Sequence, residues 1–249
     1  MAVPADASGA PLSAHQGSLL VRLAVGSVRS RLLGDAADNA DELLRRSLSE
    51  SPSLPEGRAL SEGRSLSEGR SLSEGPAEGP ADGPDPDDAK SDPLRAPGAS
   101  FVTLERRSRL RGCVGSLRAA HPLYLDVVRN ARRAMVDPRL PPVDRSDWPE
   151  LDVKVSVLTA PVVIQVLGLP ELLGALRPGV DGLLLTDGAR RATFLPAVWQ
   201  RLSEPAEFVA ALLRKGGWTD GEWPGTMTAH RYRAYEYHDP APRNPLSAG

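Results

Sequence analysis

The sequence of 249 residues predicts an α+β fold. Three observations support this class. Some segments repeat apolar residues at intervals of three and four, as amphipathic helices do. Other segments alternate apolar and polar residues, as antiparallel strands with one wet face do. The two kinds of segment do not follow the regular strand–helix–strand order of a parallel sheet, so we expect antiparallel strands with helices packed beside them.

The amino-terminal part contains the first predicted helices. Residues 1–17 are small and polar, and we expect them to be disordered. An apolar stripe predicts a helix over Leu19–Leu33, and Gly34 is suited to end it. A weaker helical stretch covers Asp41–Arg46.

The central part combines a strand with the clearest helix of the chain. Alternation predicts a strand over 99–107, after which two glycines bracket Cys113. The next helix begins near Pro122, because proline is favoured in a first helical turn, and it ends before Pro138.

The carboxy-terminal part is predicted to contain three more strand regions and three more helices, one of them a short helix opened by Pro196. Leu151–Leu158 alternates as a strand, and Pro170 opens a short helix. The Asp187-Gly188 pair predicts a hairpin. A further helix ends at Gly216, and residues 226–238, rich in tyrosine and threonine, predict one final strand.

Residues 46–98 differ from the rest of the chain in composition. They hold 7 Gly, 8 Pro and 10 Ser, and they include the repeats GRALSE and GRSLSE. One leucine in each six-residue repeat cannot bury enough apolar surface to offset the entropy lost on ordering. We therefore expect residues 46–98 to be a disordered insert.

Charge and hydropathy exclude two kinds of partner. The insert carries a net charge of −5 within a chain of net charge −2, so the rest is only mildly basic. A strongly basic balance, which nucleic-acid binding usually shows, is absent. No apolar run approaches the ~20 residues that a membrane span requires. We expect no nucleic acid and no membrane as partners, and a cytoplasmic location.

Cysteine and arginine usage adds two further expectations. The single cysteine excludes an intramolecular disulfide and a cysteine-rich zinc site, and no nucleotide or metal motif is present, so we expect no cofactor and no metal. Arginine outnumbers lysine 27 to 3. Because arginine codons are GC-rich, this ratio predicts a GC-rich, bacterial source.

Five segments occur in a characteristic order: FVTLERRSRLRGCVGSL, DPRLPPV, LDVKVSVLTAP, DGLLLTDGARRATFLPAVW and EPAEFVAALLRKGG. Together they resemble the AMMECR-type domain family, also called AmmeMemoRadiSam system protein A. The resemblance implies a two-lobed α+β domain with a mainly antiparallel sheet, formed here by residues 18–45 and 99–239 and followed by a disordered tail, 240–249. It also implies MEMO-like and radical SAM proteins as partners, but no particular reaction.

The best candidate for a ligand- or partner-binding site is the RGCVG segment. Its glycines allow a close approach of the backbone to a ligand. Arg111 offers a planar donor for carboxylate or phosphate and favours the thiolate of Cys113. The competing interpretation is structural, because a free cysteine between glycines also suits a packed strand bend. The segment consists of Arg111, Gly112, Cys113, Val114 and Gly115.

Other candidates are arginines and histidines. Arg190 and Arg191 follow the hairpin turn, where they either bind an anion or form a solvated tip. His121 suits a helix N-cap, and His230 and His238 are an even number of residues apart on the predicted final strand, so they share a face.

Two functional interpretations remain open at this point. In the leading one, the chain is not independently catalytic and acts through partner proteins at the RGCVG segment. In the alternative, it is an enzyme with Cys113 as nucleophile and Arg111 as anion binder. Because cysteine nucleophiles usually work with a nearby histidine, the position of the histidines bears on the choice.

Overall fold

The computed structural model describes residues 12–34, 39–49 and 92–246. Within them, helices and antiparallel strands form two lobes, which confirms the α+β class. In chain order the elements are α1 (Ala14–Leu33), α2 (Ala40–Ser49), β1 (Pro97–Arg106), β2 (Arg109–Gly115), β3 (His121–Pro122), α3 (Leu123–Ala134), β4 (Leu151–Leu158), β5 (Val162–Ile164), α4 (Leu169–Ala175), β6 (Gly182–Asp187), β7 (Arg190–Phe194), α5 (Pro205–Lys215), β8 (Thr228–Tyr232) and β9 (Ala234–Asp239).

The first lobe is built on a sheet with strand order β2–β1–β4–β9, and the short β3 pairs with the start of β1. The alternation in β4 buries Val153 and Val155 completely on one face. α1 and α3 cover that face, where Leu20, Leu23 and Val127 are also fully buried. Burial of each such side chain stabilises the fold by roughly 1.5–3 kcal/mol.

The second lobe has its own sheet, with strand order β5–β8–β6–β7, covered by α4 and α5. Its core is centred on Phe208 of α5, whose ring stacks on Trp199 with centroids 3.8 Å apart. Phe194 of β7 meets the same ring edge-on at 5.3 Å. These contacts account for the apolar side of α5.

A third apolar cluster joins the lobes. Ala99 and Leu158 of the first sheet and Tyr232 of the second are buried together, and Phe101 and Leu195 pack against them. Through this cluster, the second lobe packs against the face of the first sheet that is opposite α1 and α3.

The predicted final strand over 226–238 is wrong as a single element. The chain divides at Arg233 into β8, which lies inside the second sheet, and β9, which pairs with β4 in the first. Alternation continues through the division, so the pattern conceals the change of sheet. As a consequence, His230 and His238 lie in different sheets and do not share a face.

The expected disordered segments fall partly on described residues. α1 begins at Ala14, because Ser13 and Gln16 form a capping box, so the helix includes part of the stretch 1–17. Residues 46–49 complete α2 and residues 92–98 lead into β1, whereas residues 50–91, with the repeats, lie outside the described residues.

The carboxy-terminal stretch from residue 240 to residue 246 packs on the first lobe. Arg243 donates from Nε to the carbonyl oxygen of Leu151 (2.9 Å), and Trp148 donates from Nε1 to that of Asn244 (2.9 Å). The sequence predicted a disordered tail from residue 240, whereas residues 240–246 are placed by these contacts. Within the described part of the chain, no helix has both the length and the apolar character needed to cross a bilayer.

Candidate functional site

The RGCVG segment lies on β2, an edge strand of the first sheet. Cys113 stands opposite Thr103 of β1, and Gly115 stands opposite Phe101. The register shifts near Leu104, which places Arg111 as an extra residue in β2. Such a bulge re-aims the side chains around it, so Arg111 and Cys113 project in directions that simple alternation would not give.

Both glycines of the segment are packing positions. A Cβ atom on Gly112 would lie 1.8 Å from the carbonyl oxygen of Ala134 in α3. A Cβ atom on Gly115 would lie 2.2 Å from the ring of Phe101. Protein atoms therefore fill the space that the sequence analysis assigned to a ligand. Val114 packs, partly buried, against the core of the first lobe.

Arg111 is engaged within the protein. Its Nη2 atom donates to Oδ2 of Asp147 (2.7 Å) and to the carbonyl oxygen of Pro142 (3.2 Å). Its buried Nε atom has no hydrogen-bond partner among the described residues. The ion pair fastens the loop before β4 to β2, so this guanidinium is not free to act as the expected anion binder.

The backbone of Cys113 is clamped by two residues that follow α3. Its N–H donates to Oδ2 of Asp137 (3.1 Å), and its carbonyl oxygen accepts from Nη2 of Arg139 (3.0 Å). Arg139 also donates to both carboxylate oxygens of Asp137, at 2.9 Å and 2.6 Å. The Arg139 guanidinium is the main reason that the pKa of Asp137 lies well below its usual range, and the Cys113 N–H adds to it.

The thiol of Cys113 is partly exposed and faces polar neighbours. The hydroxyl of Thr103 donates to Sγ at 3.4 Å. Lys215, at the end of α5, interacts electrostatically with both Cys113 and Arg139. Burial lowers the pKa of Lys215, and the nearby Arg139 lowers it further, against the opposing effect of Cys113. Since Lys215 belongs to the second lobe, the site lies between the lobes.

Lys215 is held in place by β7. Its Nζ atom donates to the carbonyl oxygen of Thr193 (2.9 Å) and stands 5.0 Å from the ring centroid of Phe194. A cation over an aromatic face is stabilised by the ring quadrupole, so Phe194 favours the charged form of Lys215 near the lobe junction. We use the name Cys113 surface for Leu110, Cys113, Val136, Arg139 and Lys215.

The other candidates lie elsewhere. Arg190 pairs with Asp187 (2.6 Å) and stands over the ring of Trp218, whereas Arg191, its neighbour on β7, projects to the opposite face. No hydrogen bond or ion pair links either arginine to the RGCVG segment in the described ranges. His121 is not an N-cap, because it pairs with Gly98 in the short β3.

No described histidine forms a hydrogen bond with Cys113. Within residues 12–34, 39–49 and 92–246, no three His, Cys, Asp or Glu side chains gather as a metal ion would require. Asp137, Arg139 and Lys215 were not among the residues that the sequence predicted for the site. The segment DPRLPPV was the available signal, since it places Asp137 and Arg139 two residues apart.

Comparisons with known proteins define the family. The sequence profile described as AMMECR1 matches residues 70–237, which is more than half of the chain. A protein of Methanothermobacter thermautotrophicus is 34% identical over 157 residues, covering 62% of this chain and 81% of that protein. A protein of Thermococcus kodakarensis is 36% identical over 158 residues, covering 59% and 75%.

A solved structure agrees with the fold. An uncharacterized protein of Pyrococcus horikoshii superposes with a TM-score of 0.67 at 25% identity, covering 96% of this chain and 98% of that one. The fold and the sequence match together define a two-lobed AMMECR-type domain. The chain belongs to the AMMECR1 family.

Proposed function

We propose that this chain is a recognition domain whose Cys113 surface binds a partner protein. The partners that the family resemblance implies are MEMO-like and radical SAM proteins, and we adopt them as the proposed partners. A cytoplasmic location and a bacterial source are part of the same proposal. Family membership supports the choice of partners, and the geometry around Arg139 supports the choice of surface.

The observation that carries the proposal is the state of Arg139. Its side chain is 67% exposed, yet its guanidinium is fixed by a buried carboxylate, that of Asp137 (1% exposed), and by the backbone of Cys113. An exposed arginine normally loses about 0.5–1.5 kcal/mol of side-chain freedom when a partner immobilises it. Here that freedom is already lost in the free protein. Arginine is also enriched among the residues that dominate binding energy at interfaces.

Exposed apolar side chains lie on β2 and directly after α3, the two elements next to this cation. Leu110 is 45% exposed and Val136 is 54% exposed, and each lies two residues from the Gly112–Ala134 contact. The Nε and Nη2 atoms of Arg139 are occupied, whereas its Nη1 atom has no hydrogen-bond partner among the described residues. Nη1 can therefore donate to a carboxylate of a partner that also presents an apolar side chain. Because β2 and α3 are locked together at Gly112, the surface is rigid before it binds.

The test measures the affinity of this chain for the MEMO-like and the radical SAM protein of the same genome by calorimetry. We expect Arg139→Ala and Leu110→Glu each to weaken binding of at least one partner by about tenfold or more, equivalent to about 1.4 kcal/mol. The matched control is Arg177→Ala, because Arg177 is 44% exposed and pairs with the fully buried Asp181 in the second lobe.

The control variant should bind like the unmodified chain. Unchanged binding in both Arg139→Ala and Leu110→Glu, or a loss in Arg177→Ala as large as theirs, would contradict the proposed surface. Failure of the unmodified chain to bind either protein would contradict the proposed partners.

The alternative, an enzyme with Cys113 as nucleophile, is favoured by the partly exposed thiol near Arg139 and Lys215 and disfavoured by the engaged Arg111. Cys113→Ala separates the two. If Cys113 serves recognition, its thiol acts as a small apolar group. Cys113→Ala should then keep partner binding and lose roughly 1 kcal/mol of stability. Loss of pathway activity with intact binding, together with rapid alkylation of the folded protein at neutral pH, would establish the enzyme instead.

A further inference from the structure

A cleft lies between α3 and the loop that follows β2. It has a volume of about 480 Å³. One wall is the exposed face of α3, and the other is the loop between Ser116 and His121. Four arginines and one carboxylate line it, and we call it the arginine cleft. The four are Arg118, Arg129, Arg132 and Arg133.

Three of these arginines have no acceptor in the part of the chain that the structure describes. Arg118, Arg129 and Arg133 make no hydrogen bond or ion pair there, although all three line the cleft. Elsewhere in the first lobe, Arg106 and Arg139 each pair with a carboxylate within 3.2 Å. Among the described residues, Arg118, Arg129 and Arg133 therefore bring positive charge into the arginine cleft without a paired carboxylate.

Helix stability explains only part of this arrangement. A cation in the last turn of a helix is favoured by the helix dipole, which accounts for Arg133 at the end of α3. Arg129 lies in the middle of the helix, four residues before Arg133, and like charges at that spacing destabilise a helix by a few tenths of a kcal/mol. Arg118 stands on the loop across the cleft and gains nothing from the dipole. An anion between them would offset both effects.

The floor of the cleft is rigid. The carboxylate of Asp126, only 5% exposed, accepts from the N–H and hydroxyl of Ser100 at 2.9 Å and 2.7 Å. It also accepts from the side chains of Asn130 (2.9 Å) and Ser116 (2.6 Å). This network joins β1, α3 and the start of the loop, so it fixes the wall that carries Arg118 relative to the wall that carries Arg129.

The same network determines where an anion would bind. Four neutral donors occupy both carboxylate oxygens of Asp126, so no cation pairs with this carboxylate among the described residues. Within the described ranges, Arg118, Arg129 and Arg133 against this one carboxylate leave a net positive charge in the cleft. An anion is repelled from the floor and attracted to the rim, where the guanidinium groups are exposed. Arginine binds phosphate with paired, planar hydrogen bonds.

We propose that the arginine cleft binds a phosphate-bearing small molecule through Arg118, Arg129 and Arg133. The cleft volume lies within the range of about 300–1,000 Å³ that is typical of small-molecule sites, and it exceeds what a free phosphate ion fills. This site is separate from the Cys113 surface and does not depend on the proposed partners.

The test titrates the full chain with inorganic phosphate and with ribose 5-phosphate, by calorimetry at constant ionic strength. We expect ribose 5-phosphate to bind, and both Arg118→Gln and Arg129→Gln to weaken it about tenfold or more. The control is Arg45→Gln, because Arg45 is 70% exposed on α2. Melting temperatures within about two degrees of the unmodified chain would show that the variants are folded.

The two probes distinguish the sources of phosphate. Tighter binding of ribose 5-phosphate than of inorganic phosphate supports a phosphorylated small molecule, and equal binding supports a site for the phosphate group itself. The proposal is overturned if neither probe binds at 10 mM, about ten times a millimolar dissociation constant. It is also overturned if the arginine variants bind as well as the control.

Discussion

At Gly112, one methyl group decides whether α3 can pack on β2. The nearest atoms to a Cβ there are backbone atoms of Ala134, at 1.8 Å and 2.8 Å, which cannot move aside as a side-chain end could. The same contact holds Asp137, three residues after Ala134, within reach of the Cys113 N–H. The geometry of the Cys113 surface therefore depends on the close packing at Gly112.

We predict that Gly112→Ala destabilises the protein by about 3 kcal/mol, because overpacking against backbone forces α3 away from the sheet. The measurement is denaturant-induced unfolding, followed by circular dichroism. Gly174→Ala is the matched control, since no atom lies within 4 Å of its added Cβ in α4. The control should gain up to about 1 kcal/mol from the higher helix propensity of alanine. Equal effects of the two substitutions would contradict the packing role of Gly112.

At the scale of residues, the sequence singled out a segment but did not predict the contacts that its members make. The RGCVG pattern located β2 and Cys113. The partners of Arg111 and Gly112 are Asp147, 36 residues away, and Ala134, 22 residues away, and no local pattern reports such contacts. A single sequence does not distinguish a glycine that leaves space for a ligand from a glycine that allows a helix to pack closely.

At the scale of elements, periodicity located the helices better than the strand pairings. The start of α1 was available in the sequence, because Ser13 and Gln16 have capping-box spacing. The hairpin between β1 and β2 was harder to predict. Its turn residues, Arg107 and Ser108, both have positive φ angles (51° and 61°), a conformation for which Asn-Gly is the usual signal.

Tyr232, at the end of β8, connects the two sheets and should control stability at alkaline pH. It is 2% exposed, and its hydroxyl contacts the Thr193 hydroxyl (2.7 Å) and donates to the carbonyl oxygen of Phe194 (3.0 Å). Burial raises the pKa of Tyr232 to about 12, because a phenolate is poorly solvated there. In the unfolded chain the pKa of tyrosine is about 10.

We predict that the neutral Tyr232 stabilises the fold fully below about pH 10, and that this contribution is lost as the pH rises from about 10 to 12. The loss should be about 2–3 kcal/mol, which is the free-energy equivalent of the difference in pKa. Tyr232→Phe should cost about 1 kcal/mol at pH 7 through its lost hydrogen bonds, but should flatten the alkaline decline. Urea unfolding from pH 8 to pH 12 measures both. An equally steep decline in the variant would show that another group is responsible.

At the scale of the whole molecule, β8 and β9 hold the two lobes together. β8 lies between β5 and β6 in the second sheet, and β9 pairs with β4 in the first. Tyr237 of β9 also packs on α1, where a Cβ on Gly17 would lie 2.0 Å from its ring. The carboxy-terminal segment is therefore needed by both sheets. The sequence predicted a strand here but not its division, because alternation specifies a face and not a sheet.

We predict that truncation after Pro224 abolishes folding, because it removes a central strand from one sheet and an edge strand from the other. The buried Tyr232 and Ala229 are lost with them, and the edges of β6 and β4 that paired with β8 and β9 lose their backbone hydrogen bonds. The truncated chain should be insoluble, or soluble without a cooperative thermal transition measured by calorimetry.

The control is truncation after Pro240, which keeps both strands and removes the contacts of Arg243 and Asn244 with the first lobe. Those contacts are a few hydrogen bonds, each of which contributes about 1 kcal/mol, so this chain should melt cooperatively at a lower temperature. A soluble, cooperatively melting chain that ends at Pro224 would show that the lobes do not depend on β8 and β9. Loss of folding on truncation after Pro240 would show that folding requires the tail and not only the two strands.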